Sequence, residues 1–153
     1  MSNTSAAPKK GRSSGAKVST TLLVTIIPVT VALNIVGGII AHALRLPVYL
    51  DMIGTAVAAI VLGPWWGALV GLLTNSGSAL ISGPTSLPFA LVNIVGALIW
   101  GYGVRSWGLG KSIPKFFLLN IIVAIACTLV AAPIIVLVFG GATGAGAYAL
   151  TAT

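Results

Sequence analysis

Five long apolar runs occupy residues 20–43, 48–62, 65–81, 87–104 and 116–139, separated mainly by glycine–proline pairs and a few charges. In hydrocarbon every backbone donor and acceptor needs an internal partner, which leaves α-helices and closed barrels as spanning structures. Barrel strands take about 10 residues, and these runs are longer, so the pattern predicts helices. Gly63-Pro64 and the turn Ser82-Gly83-Pro84-Thr85-Ser86 separate neighbouring runs, because proline lacks a donor and disfavours helix in the residue before it. The run at 48–62 is short and spans only with help from its ends or a thinned bilayer. The expected architecture is an all-α integral membrane bundle of five full transmembrane helices over residues 19–140. Residues 141–153 are small and apolar but too short to cross, and read as a partial sixth helix. Residues 1–18 are rich in Ser, Gly and Lys and read as a disordered basic tail.

Composition agrees. The chain is 58% hydrophobic and 6% charged, with a mean hydropathy of +1.11, whereas a soluble domain carries about a quarter charged residues. The net charge of +7 could suggest nucleic acid, but in a multispanning chain a basic excess sets orientation instead. Lys9, Lys10, Arg12, Lys17, Arg105, Lys111 and Lys115 fall on the N-terminal side of the expected topology, and Arg45 alone on the other. The N-terminus is therefore expected in the cytoplasm, the chain multi-pass in the cell membrane, with the lipid bilayer and no nucleic acid as partner. The first run is about 24 residues long, which suits a span better than a cleaved signal peptide.

Polar residues inside the runs are few and patterned. Asn34, Asn75, Asn93 and Asn120 place one asparagine in each of four runs. Asparagine is costly against lipid and should face the bundle interior. Residues four apart share a helix face. Thr30, Asn34, Gly38 and His42 form one such stripe; so do Asp51, Thr55 and Ala59; Gly67, Gly71, Asn75 and Ala79; and Asn93, Ala97 and Gly101. Small-residue stripes let helices approach closely, and asparagine hydrogen-bonds across them. Each asparagine is thus either packing glue or a ligand contact. At about 1.5 Å rise per residue, Asn93 lies roughly 8 Å below the outer surface and Asn120 near the inner one. The outer half is the more polar, with His42, Tyr49, Asp51 and Thr85, and a polar pocket opening outward follows. Its predicted lining is Asn34, Tyr49, Asp51, Asn75, Thr85 and Asn93.

Asp51 is the only acid. It either pairs with Arg45 to fix the first hairpin or contacts a ligand or proton. Trp65, Trp66, Trp100 and Trp107 lie near inner ends of runs, as an aromatic belt does. One acid, one histidine and one cysteine, Cys127, cannot build a carboxylate pair, a nucleophilic triad or a metal cluster. No enzyme, cofactor or metal site is expected.

Several segments carry a family likeness: Ala32–Gly38 (ALNIVGG), Leu46–Thr55 (LPVYLDMIGT), Leu62–Asn75 (LGPWWGALVGLLTN), Ser82–Thr85 (SGPT) and Leu87–Asn93 (LPFALVN). Over residues 32–93 the chain resembles the substrate-binding (S) components of energy-coupling factor (ECF) transporters. The resemblance implies a six-helix membrane protein that captures a micronutrient, often a vitamin or its precursor, on the outer side. It also implies two kinds of partner, a transmembrane coupling subunit and two ATPase subunits. The A-x-x-x-A pattern that many S components carry in the cytoplasmic half of the first helix is absent; Thr21–Thr25 stands there, and the nearest small pair is Gly37 and Ala41. Gly37, Gly38, Ala41, Gly67 and Gly71 are accordingly expected as close helix contacts only. The alternatives are a membrane-embedded sensor or input module of a signalling protein, and a small self-contained channel or carrier.

Overall fold

The computed structural model describes residues 18–44 and 50–139. Among them it is all-helical: α1 (Thr20–Ala43), a 3-10 turn (Leu50–Met52), α2 (Ile53–Val61), α3 (Pro64–Ser82), a second 3-10 segment (Pro84–Phe89), α4 (Ala90–Arg105) and α5 (Ile113–Phe139). The punctuation acts as expected. Pro64 opens α3 in the first turn, where its missing N–H costs nothing. Gly63 before it has φ 125°, a conformation that a side chain would strain. Pro28 and Pro133 lie within α1 and α5 without ending either helix.

Three stretches are long and apolar enough to cross a membrane: Thr20–Ala43, Pro84–Arg105 and Ile113–Val138. This is compatible with a membrane protein, but five full spans are not found. The second run contributes only a 3-10 turn and the nine residues of α2. At 1.5 Å per residue α2 is about 14 Å long, half of a hydrocarbon core of about 30 Å. The 19-residue α3 has the length, but Thr74, Asn75, Ser76, Ser78 and three glycines lower its hydropathy. The predicted partial sixth helix at 141–153 and the basic tail at 1–17 lie outside the described residues.

Short α2 packs against α1, α3 and α4, while α4 lies between α3 and α5. Small residues fill the interior. Ala59, Ala68 and Ala97 form one buried cluster, beside Ile94 and Trp100. Ala58, Leu62 and Val70 form another, flanked by Leu23, Ile27 and Val31 of α1. Large apolar side chains point outward instead: Leu80 is 90% exposed, Ile113 88% and Leu137 82%. An exterior this apolar is a liability in water and suits lipid.

Of the five positions expected as close helix contacts, Gly37, Gly67 and Gly71 lie tightly against a neighbouring element. A Cβ on Gly37 would stand 2.7 Å from the Leu50 carbonyl oxygen, one on Gly67 2.5 Å from the Ala59 Cβ, and one on Gly71 2.7 Å from the Asn93 Cβ. Gly38 faces the Asp51 Cβ at an ordinary 3.5 Å, and Ala41 is buried. The tightest approach on α1 is Gly54 of α2, whose missing side chain lets it lie against the Thr30 carbonyl and the Asn34 amide. Gly54→Ala is expected to lower stability in detergent by about 1–3 kcal/mol through overpacking. Gly38→Ala is expected to change it by less than about 0.5 kcal/mol. Thermal unfolding of the two variants checks both values.

Candidate functional site

Four buried polar side chains from four helices meet in the interior. Asn34 of α1 is fully buried and uses its amide in both directions. Its Nδ2 donates to Thr55 Oγ1 of α2 at 2.9 Å and to Thr74 Oγ1 of α3 at 3.0 Å. Its Oδ1 accepts the backbone N–H of Gly54 at 2.6 Å. Thr55 in turn donates its hydroxyl to Asn93 Oδ1 of α4 at 2.9 Å. The 3-10 turn that carries Asp51 leads directly into α2. The cluster therefore runs across α1, α2, α3 and α4.

Local sequence explains the convergence. The i, i+4 stripes turn Asn34, Thr55 and Asn93 toward one another, and glycines beside them remove the bulk that would hold the helices apart. Gly54 admits the Asn34 side chain, and Gly71 admits Asn93. The Gly54 N–H belongs to the first turn of α2, where helix donors lack intrahelical partners. Met52, at the N-cap position, offers no side-chain cap. Asn34 thus caps α2 from another helix. At the opposite end, Arg105 of α4 donates from Nη2 to the Val61 carbonyl at 2.9 Å, and its guanidinium lies over Gly63.

The predicted pocket residues divide. Asn34 and Asn93 come together through Thr55, and Asp51 lies on the 3-10 turn beside Gly38 of α1. Asn75 is buried but donates to its own helix, to the Gly71 carbonyl at 2.9 Å. Thr85 lies exposed on the second 3-10 segment, away from the Asn34 bonds. Tyr49 and Arg45 lie outside the described residues, so the expected Asp51–Arg45 pair does too. His42, placed on the Asn34 stripe, is exposed at the end of α1. Two shallow grooves mark the outside of the bundle, one lined by Ala124, Ile125, Thr128 and Leu129, the other by Leu98, Ile99, Tyr102, Ser106 and Trp107. Neither is lined by a member of the polar cluster.

Sequence reasoning missed three contributors. Thr74 is buried and takes the second Asn34 N–H; it is next to Asn75, the more polar neighbour. Trp100 does more than mark an interface, since its Nε1 donates to Asn120 Oδ1 at 3.2 Å and ties α4 to α5. Arg105, read as a topology signal, caps α2. No family model, curated protein or solved structure matches the chain.

Asn34→Ala removes three buried hydrogen bonds and strands the Gly54 N–H. It is expected to cost about 2–4 kcal/mol, against about 1 kcal/mol or less for Asn75→Ala, which loses one bond to its own helix. Denaturation of both variants in one detergent measures the difference.

Proposed function

We propose that the chain is the substrate-binding subunit of an ECF-type importer, a multi-pass protein of the cell membrane with its N-terminus in the cytoplasm. It captures a small micronutrient, a vitamin or precursor, on the outer side. A transmembrane coupling subunit and two ATPase subunits supply the energy. The observation that carries this reading is the coincidence of two patterns. Asn34, Thr55 and Asn93 lie in the segments that carry the family resemblance, and they converge in the bundle interior. Polar and ionisable groups inside a membrane bundle are costly and mark substrate or ion sites. The basic residues at the N-terminal side of the topology support the orientation.

One observation argues against Asn34 as a ligand contact. Asn34 gives both amide N–H groups to threonines, so this asparagine acts as packing glue. In the transporter reading, the substrate contacts are then the other predicted residues, Tyr49, Asp51, Asn75, Thr85 and Asn93.

The test is a thermal-shift screen of the full chain, purified in detergent, against water-soluble micronutrients. A ligand that binds only the folded state stabilises it by about 2.7 kcal/mol at one hundred times its Kd. One chemical class is expected to raise Tm in a saturable manner, and the Asn75→Ala, Asn93→Ala double variant, if folded, to lose the shift. No shift across the panel from a folded sample, with no coupling subunit retained on co-purification, contradicts the transporter reading.

A further inference from the structure

The C-terminal end of α4 carries an aromatic and basic rim that the interior cluster does not involve. Leu98, Ile99, Tyr102, Ser106 and Trp107 line a shallow groove there. Its floor is apolar, and Tyr102 and Trp107 at its end are exposed. The following loop folds back tightly. The backbone N–H groups of Ser106 and Trp107 donate to the Tyr102 carbonyl, and that of Leu109 to the Gly103 carbonyl. Gly108 permits this turn with φ 63°, a conformation that suits glycine. The Lys111 side chain lies across Gly108, its Nζ 3.8 Å from where a Cβ would stand, which brings its charge beside the residue that follows Trp107. Arg105 shares a helix face with Leu98 and Tyr102, seven and three residues earlier, and Lys115 lies in the first turn of α5. No acidic side chain offsets these cations. The only one, Asp51, stands ahead of α2, whereas Arg105 bonds the far end of that helix at Val61. The groove lined by Ala124, Ile125, Thr128 and Leu129 is also apolar, but no Lys or Arg lines it. Lys115, on the same helix, is nine residues from Ala124, about 14 Å along the axis.

An apolar floor, an end with hydroxyl and indole donors, and unbalanced cations beyond it match an acyl chain, an ester linkage and a phosphate in that order. Trp and Tyr settle at the headgroup level of a bilayer. Lys and Arg form charge-assisted hydrogen bonds to phosphate, and basic pockets at the ends of membrane helices bind anionic headgroups. We infer that this groove is a site for one anionic phospholipid, with an acyl chain along Leu98 and Ile99 and the phosphate drawn to Lys111, where Arg105 and Lys115 add charge. An acidic protein segment would match the cations but leave the groove floor unfilled. The inference rests on the membrane reading of the chain and not on the transporter reading.

The test titrates the full chain in detergent, by native mass spectrometry, with phosphatidylglycerol and phosphatidylcholine of identical acyl chains. One phosphatidylglycerol is expected to bind at least about ten-fold more tightly than phosphatidylcholine, and the Lys111→Gln, Lys115→Gln double variant to lose that preference. Both lysines are exposed, so the double variant is expected to fold as the wild type does. Ile99→Trp, which crowds the groove, is expected to weaken phosphatidylglycerol binding, and Ala124→Trp, in the groove without cations, to leave it unchanged. Equal affinity for the two lipids, a preference that survives the loss of both lysines, or equal effects of the two tryptophan substitutions would overturn the inference. Tighter binding of a polyglutamate peptide than of phosphatidylglycerol would assign the cations to an acidic protein partner and overturn it as well.

Discussion

A nine-residue helix cannot satisfy its own ends. Its first four N–H and last four carbonyl groups lack intrahelical partners, and for α2 that is most of the helix. In a bundle with an apolar exterior there is little water to replace them. The structure meets this constraint with side chains from other helices. Asn34 of α1 takes the Gly54 N–H at one end, and Arg105 of α4 gives a donor to the Val61 carbonyl at the other. The remaining polar architecture follows from that anchoring. Once Asn34 points at α2, its amide N–H groups need acceptors, and Thr55 and Thr74 supply them. Thr55 then needs an acceptor for its own hydroxyl, and Asn93 supplies it.

Small residues make this possible at low steric cost. Gly54, Gly67 and Gly71 each lie where a Cβ would collide with a neighbouring helix. Without a hydrophobic driving force between helices in lipid, close packing and interhelical hydrogen bonds take over. The alanine-rich core and the leucines and isoleucines turned outward are two sides of that arrangement. The same close packing links fold and candidate function. The network that fixes α2 also holds the start of the helix that Asp51 immediately precedes.

Much of this was legible in the sequence, and particular residues show where legibility stopped. The apolar runs and glycine–proline pairs gave the helices, and α5 begins at Ile113, three residues ahead of its predicted run. The i, i+4 stripes gave the inward faces of α1, α2, α3 and α4, including Asn34, Thr55 and Asn93. Run length misled at 48–62, because hydropathy does not distinguish a 3-10 turn from a helix, and α2 is left too short to span. Thr85 falls in the predicted pocket by depth alone, and depth does not fix the direction of a side chain on a 3-10 segment. Thr74 escaped because adjacent helix positions are 100° apart and only the tertiary rotation of α3 decides which of Thr74 and Asn75 meets Asn34. The Arg105 cap joins positions 44 residues apart in the chain, a distance over which no local pattern operates.

The central claim is that Asn34 caps α2 across the bundle, and amide exchange at Gly54 reads it most directly. A first-turn amide with no acceptor exchanges quickly once water reaches it, whereas one bonded to a buried carbonyl opens only with the surrounding unit. In the wild-type protein in detergent, the Gly54 amide is predicted to exchange as slowly as amides in the middle of α3. In Asn34→Ala it is predicted to exchange far faster while α3 is unchanged. Rapid exchange at Gly54 in the wild type, or protection that Asn34→Ala leaves intact, would contradict the account.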